Sequence, residues 1–442
     1  MYVYQELLER ADAGKPVRVA LIGAGKFGSM FLSQVPTTPG LLVSAIADLN
    51  PDRAREVCRT VGWSDADIAA TRFTDDALAM MAADDVDVVV EATGVPAAGL
   101  GHARGAFANG KHIVMVNVEA DVMVGPLLAL EAREAGVVYS MAYGDQPALT
   151  CELVEWARSC GFDVVAAGKG TKYLPSYHAS TPDTVWEHYG LTAEQARAAG
   201  MNSQMFNSFL DGTKSALEMA AIANATGLEP PPDGLGFPAC GVDDLAELLR
   251  PREAGGVLHH KGQVEVVSSI ERDGRPVAGD LRWGVYVVIE APNDYAAASF
   301  QQYGMNTDAS GRYSAMYKPF HLIGLELNMS IFSAALLGRP TGATRDFTGD
   351  VVATAKRDLK AGERLDGEGG FTVYGTLLPA ATSLARGGLP IGLANEVMLE
   401  RAVDAGEVVR WSDVAVDESL EAVRARREME ARFRDAGLAA AD

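Results

Sequence analysis

Cysteine is scarce: Cys58, Cys151, Cys160 and Cys240 are the only four in 442 residues, and no two form a C-x-x-C pair. That spacing excludes a zinc-ribbon site and a disulfide scaffold, and it reads as reduced thiols in a cytoplasmic protein. No apolar run approaches the roughly 18 residues a bilayer span needs. The stretch Met1 to Arg10 lacks the basic start of a secretory leader. Cations are also in the minority, with 38 Lys and Arg against 59 Asp and Glu and a net charge of −21. A nucleic-acid partner, which wants a basic face, is therefore not expected, and neither is a membrane partner. An acidic chain that handles an anion must gather its few cations locally, so Lys and Arg in apolar surroundings are the positions to follow.

What is present is ample apolar material, 48% of the chain, over a length that suits two or three domains. The most informative stretch is Val17 to Gly28, where a β-branched strand runs into Gly23-Ala24-Gly25-Lys26-Phe27-Gly28 and an amphipathic stretch from Ser29 to Val35. In the G-x-G-x-x-G pattern Gly23 allows the tight turn, Gly25 lets a pyrophosphate approach bare backbone, and Gly28 lets helix and strand pack closely. The following helix N-terminus offers free N–H groups and partial positive charge to phosphates. A second strand, Leu42 to Ala47, ends in Asp48, suited to an adenosine ribose hydroxyl, while Arg53 and Arg55 downstream could meet a 2′-phosphate. A third, Val86 to Val90, leads into Glu91-Ala92-Thr93-Gly94, and a fourth, His112 to Val116, reaches Asn117-Val118-Glu119. Ala92, Thr93, Gly94, Asn117 and Glu119 are thus expected beside the cofactor, and the strand–helix alternation predicts a doubly wound α/β sheet.

Beyond the turn at Ala142 to Pro147 the pattern changes. A helix is predicted from Ala148 to Cys160, another over Asn207 to Thr226, strands at Gln263 to Ile270 and Gly284 to Ala291, and a helix over Pro319 to Leu337. The boundaries read as 1–147 for a dinucleotide-binding domain, 148–345 for an α+β substrate domain, 346–415 for a small β unit and 416–442 for a helical tail, whose Leu420, Val423 and Met429 are expected to pack on the body.

The leading chemical constellation is Asp211-Gly212-Thr213-Lys214-Ser215-Ala216-Leu217-Glu218. On a continuous helix Lys214 and Glu218 stand four apart on one face, with Asp211 one turn earlier. A solvated ion pair is the plain alternative, but the apolar residues from Met219 to Ala223 argue for burial, and buried ion pairs concentrate at functional sites. Lys172 follows a core strand, and Lys318 precedes Pro319, which suits a first helical turn and an anion at its start. Lys169 could serve similarly, but a lysine in a glycine-rich turn is often only solvated. Asp145 could face the ligand crevice or cap the next helix. His321 is open between ligand contact and core packing. His178 and Glu187 are weaker candidates, and His259-His260 lacks a metal-binding context.

In their order, the glycine loop, Glu91-Ala92-Thr93-Gly94, Gly168-Lys169-Gly170-Thr171-Lys172 and Asp211-Gly212-Thr213-Lys214 resemble the homoserine-dehydrogenase-like oxidoreductases, in particular the 1-deoxy-D-xylulose-5-phosphate reductoisomerase-like group. Val351 to Glu363, Leu389 to Ala394 and Asp404 to Val409 resemble a SAF, or β-clip, domain. The resemblance implies NADPH, where Asp48 alone favours NAD. It also implies a divalent cation of unknown ligands, and a phosphorylated ketose that is isomerised and reduced. It departs from true homoserine dehydrogenases, which carry a lysine at the position aligned with Ala120 and the opposite order of acid and lysine on the substrate-domain helix. A small anionic sugar then suits Lys172, Lys214 and Lys318 better than an amino acid. A dehydrogenase of a sugar acid, polyol or hydroxy acid, and a cofactor-binding sensor or scaffold without turnover, are the other two readings. Self-association into a homo-oligomer is expected on general grounds.

Overall fold

The computed structural model describes residues 3–439, which form an α/β chain of two units, one comprising residues 3–149 with 321–344 and the other 150–320 with 345–439.

The first unit holds six strands: β1 (Val17–Ile22), β2 (Leu41–Ala47), β3 (Arg72–Thr74), β4 (Val88–Glu91), β5 (His112–Met115) and β6 (Tyr139–Met141). All pair in parallel, in the order β3-β2-β1-β4-β5-β6. Parallel strands need helices on both faces, and this explains the near-continuous burial of β1, β2 and β4. The chain leaves β1 toward β2 on one side and later returns to β4 on the other. The turn after β1 therefore opens at the switch point, where ligands of such sheets bind. Val19, Leu21, Val43, Ile46, Val88, Val90 and Val114 fill the core with Phe31 and Leu32 from helix Lys26–Gln34.

Residues 321–344 belong to this first unit rather than to the second domain expected from sequence. Leu327, Ile331 and Phe332 complete its apolar core, and the Ser330 hydroxyl donates to the Met141 carbonyl at 3.1 Å. The helix here runs Asn328–Leu337, not from Pro319.

The second unit contains β7 (Asp163–Thr171), β8 (Gln263–Ser268), β9 (Val285–Glu290) and β10 (Tyr313–Lys318) in a mixed sheet of order β10-β9-β7-β8. Lys318 ends β10 instead of preceding a helix, which corrects the reading of Pro319 as a first helical residue. Helix Thr213–Thr226 is buried along nearly its whole length. Asn224 on it accepts the backbone N–H groups of Thr348 and Gly349, each at 2.8 Å. There the chain enters an antiparallel pair, β11 (Gly349–Ala355) and β13 (Val373–Pro379), and a small sheet of β12 (Arg364–Asp366), β14 (Asn395–Leu399) and β15 (Val414–Ala415).

The tail forms helix Glu421–Ala439, with Val423 and Met429 buried but Leu420 exposed. Its Arg426 is fully buried and pairs with Asp350 on β11 at 2.6 Å and with Glu430 at 2.9 Å.

Candidate functional site

The glycine loop is built as its spacing requires. Gly23 has φ +94°, and a Cβ there would come within 2.8 Å of the Ala92 carbonyl oxygen. A Cβ on Gly28 would lie 2.4 Å from the Gly23 carbonyl oxygen, so only glycine lets helix Lys26–Gln34 settle against the turn. Gly25 differs: a Cβ there would meet no atom within 4 Å, its backbone is exposed, and it caps the helix N-terminus without a side-chain acceptor. The first N–H groups of that helix thus stay available to an anion. Ala24 is buried, Lys26 exposed and Phe27 half-buried around this cradle.

Asp48 closes the other side. Its carboxylate accepts the Ala24 N–H at 2.9 Å and the Asn50 N–H at 3.0 Å, and the Arg53 guanidinium approaches at 3.3 Å. Only 6% of the Asp48 side chain is exposed, against 58% for Arg53. The carboxylate that favours a free ribose hydroxyl and the guanidinium that suits a 2′-phosphate therefore stand as one pair. These groups fit a dinucleotide: bare backbone for the pyrophosphate, and an acceptor with an adjacent cation for the ribose.

The turn after β4 carries an unexpected buried acid. Glu91 accepts the Thr93 hydroxyl, the Thr93 N–H at 3.3 Å and a contact from His102 Nδ1 at 3.2 Å, while its Oε2 has no partner. Ala92 and Gly94 complete the turn, and Gly94 has φ +69°. Asn117 caps helix Val118–Glu134 by accepting the Ala120 N–H at 3.1 Å, and its buried Nδ2 has no partner. Glu119 lies half-buried in the first turn of that helix. Asp145 caps the next helix through its backbone, its carbonyl accepting the Leu149 N–H at 3.2 Å, while its buried carboxylate accepts the Gln146 N–H at 2.9 Å. His321 is half-buried in the segment before helix Asn328–Leu337.

In the second unit the predicted helix over Asn207 to Thr226 is two helices, Ser203–Leu210 and Thr213–Thr226. The break falls at Asp211-Gly212, where Gly212 takes φ +92°. Asp211 is therefore off the helix that carries Lys214 and Glu218. Its buried carboxylate pairs with Lys356 at 2.8 Å and accepts the Thr213 N–H at 2.9 Å; burial raises its pKa against the pull of Lys356. Lys356 also donates to the Ser180 and Gly370 carbonyls, each at 2.7 Å. The pair ties the helix break to the C-terminal strands.

Glu218 forms its ion pair with Lys169 of β7, not with Lys214 as the four-residue spacing predicted. Both partners are buried, which also corrects the reading of Lys169 as a solvated turn residue; the glycines around it belong to a strand. Lys214 is half-buried in the first turn of its helix. Lys172 donates to the His188 carbonyl at 2.6 Å, and partial burial lowers its pKa. Lys318 lies 5.1 Å from the centre of the Phe320 ring. The register places Lys318 opposite Val285 and Val285 opposite Lys169, so the two lysines stand in one cross-strand row and share a sheet face.

Three neighbours were not foreseen as one structure. The Tyr173 ring stacks on Phe237 at 3.8 Å, its hydroxyl meets His178 Nε2 at 2.9 Å, and His178 Nδ1 meets the Asp211 carbonyl oxygen at 2.7 Å. A carbonyl only accepts, so Nδ1 carries the proton and Nε2 accepts from the tyrosine. Burial lowers the His178 pKa and keeps this neutral form. Glu265, buried in β8, accepts backbone N–H groups from Gly236, Phe237 and Val266, yet burial pushes its pKa up to about 7. An acid flanked by Val264 and Val266 inside a strand was the available signal.

The implied divalent cation finds no matching donor set: among the described residues no group of three His, Cys, Asp or Glu side chains is arranged to hold an ion. No described helix is long and apolar enough to cross a membrane.

Residues 17–116 match the oxidoreductase family with an NAD-binding Rossmann fold, and residues 144–327 match the catalytic domain of oxidoreductase DRL. Neither match extends past residue 327, so the β-clip resemblance rests on sequence alone. No curated protein matches. Among solved structures, a probable dehydrogenase from Thermotoga maritima is 15% identical over 73% of this chain and 90% of its own, with a TM-score of 0.39. Biliverdin reductase from Synechocystis, solved with biliverdin and NADP+, is 18% identical over 38% of this chain and 54% of its own, at a TM-score of 0.27. A 3-ketoreductase from Actinomadura kijaniata, solved with NADP and TDP-benzene, is 18% identical over 36% of this chain and 49% of its own, at 0.27. The chain thus spans about half the length of the latter two.

Proposed function

We propose that this chain, an NAD(P)-dependent oxidoreductase, reduces the carbonyl of a small phosphorylated sugar, with the ketose-phosphate rearrangement of the reductoisomerase-like group as its specific reaction. The bound cofactor supplies the hydride. The glycine loop holds the pyrophosphate on the N–H groups after Gly25, and Asp48 with Arg53 orients the adenosine ribose.

The observation that carries the substrate side is the buried Lys169–Glu218 pair. Taking two charges out of water costs several kcal/mol per ion, and such groups concentrate where protons move. When hydride reaches a carbonyl carbon the oxygen gains a proton; Lys169, paired with Glu218, donates it. Lys318, in the same cross-strand row, stands about 10 Å away at two strand spacings, a distance that suits the far anionic end of a short sugar phosphate. Lys172 and Lys214 add positive charge in the same unit.

The test is NAD(P)H oxidation with 1-deoxy-D-xylulose 5-phosphate as substrate, and NMR of the product. A branched polyol phosphate supports the reading. An unbranched alcohol, or turnover only with sugar acids, replaces it with the simple dehydrogenase.

A further inference from the structure

A basic cavity, remote in sequence from the glycine loop, lies in the C-terminal part of the second unit. A cavity of about 200 Å³ is lined by Arg386, Arg410, Arg427 and Arg434, with the Gly387–Gly388 backbone and Trp411. Four guanidiniums around one small cavity are out of keeping with a chain whose net charge is −21. The cavity's one acid, Glu430, is already committed: it accepts Arg426 Nε at 2.9 Å and the Trp411 indole N–H at 3.3 Å. Arg427 lies 3.6 Å over the Trp411 ring and reaches Glu418 at 3.5 Å and Glu430 at 3.8 Å. Arg386, Arg410 and Arg434 form no ion pair among the described residues; they come from three separate segments and are exposed at the cavity.

We propose that this cavity binds a small multiply charged anion of the phosphate class, either free phosphate or pyrophosphate or the phosphate end of a metabolite. Three uncommitted guanidiniums exceed the charge of one carboxylate, and their planar forks suit an acceptor with several oxygens. The volume admits a phosphate group and a few further atoms. The stacked Arg427 is held by Trp411 and its two acids, so it offers its remaining donors from a fixed position. The site is independent of the proposed sugar reduction: it uses none of the glycine loop, Lys169, Glu218 or Lys318.

The experiment uses the full chain saturated with NADPH, which occupies the glycine loop. Pyrophosphate is titrated by calorimetry and by tryptophan fluorescence, and phosphate and phenyl phosphate, an ester the proposed reduction does not consume, are compared as the free-ion and phosphate-ester arms. Saturable binding should weaken about tenfold or more in Arg386→Glu/Arg410→Glu, and it should weaken at high salt. A Trp411→Phe variant should keep the calorimetric signal but lose the fluorescence change. Both variants alter exposed or half-exposed groups, and thermal melts check that they fold. Equal pyrophosphate affinity in the wild type and the double arginine variant, or no binding by any of the three probes at millimolar concentration, overturns the site.

Discussion

Gly25, Gly23 and Gly28 stand within six residues of one another, yet the structure assigns them different costs on substitution. A side chain at Gly25 meets no protein atom within 4 Å, and its φ of −75° suits any residue. Gly25→Val should therefore leave stability within about 0.5 kcal/mol of wild type, as for other unconstrained surface changes. The same side chain occupies the approach of the pyrophosphate to the helix N-terminus. Losing two charge-assisted hydrogen bonds there costs about 3 kcal/mol, which is roughly a hundredfold in Kd for NAD(P)H. Gly28→Ala has the opposite profile, because its Cβ would sit 2.4 Å from the Gly23 carbonyl oxygen. Overpacking of that kind costs about 1–3 kcal/mol of stability. Gly23→Ala adds a side chain at φ +94° as well as a contact at 2.8 Å to Ala92, so it also destabilises, by about 1–3 kcal/mol. Urea unfolding of the apo protein and NADPH fluorescence titration separate the two effects. Should Gly25→Val bind NAD(P)H like the wild type, or lose as much stability as Gly28→Ala, the reasoning about the loop fails.

Three other outcomes follow from buried charge. Glu265 has its pKa raised from 4.5 to about 7, so the folded state holds a proton that the unfolded state has lost between those values. Its stabilising contribution is complete below about pH 4.5 and disappears as pH rises through 7, by about 3 kcal/mol in all. Urea unfolding of wild type and Glu265→Gln should therefore show the glutamine variant gaining relative stability across that window, and a pH-independent difference would contradict this. Lys356→Met leaves Asp211 buried beside two carbonyl oxygens that have lost their donor; the loss should be about 3–5 kcal/mol, and adding Asp211→Asn should restore part of it. Asp48→Ala frees Arg53 from its 3.3 Å partner, so the ratio of Kd for NAD to Kd for NADP should rise about tenfold, measured by titration of both cofactors.

The Rossmann half was legible because its signals are local. One strand, three glycines and an acid at the end of the next strand specify a turn, a helix start and a ribose acceptor without long-range contacts. The second unit was less legible for the same reason reversed. Glu218 meets Lys169 across 49 positions of sequence, and no spacing rule predicts which strand a helix will lie on. The local cue at Asp211-Gly212, a dipeptide that favours turns, was outweighed by the apolar run on either side. Pro319 suits a helix start, but it follows a strand in which Lys318 pairs with Val285, and sheet pairing overrode the local preference. Lys356 directly follows the apolar strand Gly349–Ala355, a place where a lone lysine deserved to be read as buried.

The proposed reaction is reduction of a sugar phosphate with Lys169 as proton donor. The most direct test is single-turnover reaction with NADPH carrying deuterium at C4 of the nicotinamide and 1-deoxy-D-xylulose 5-phosphate. Mass spectrometry and NMR then locate the label in wild type and in Lys169→Met. One deuterium is expected on a carbinol carbon of a branched product, with a loss of several orders of magnitude in rate for Lys169→Met and NADPH affinity unchanged. Unlabelled substrate recovered beside unoxidised NADPH, or a Lys169→Met variant as fast as wild type, would contradict it.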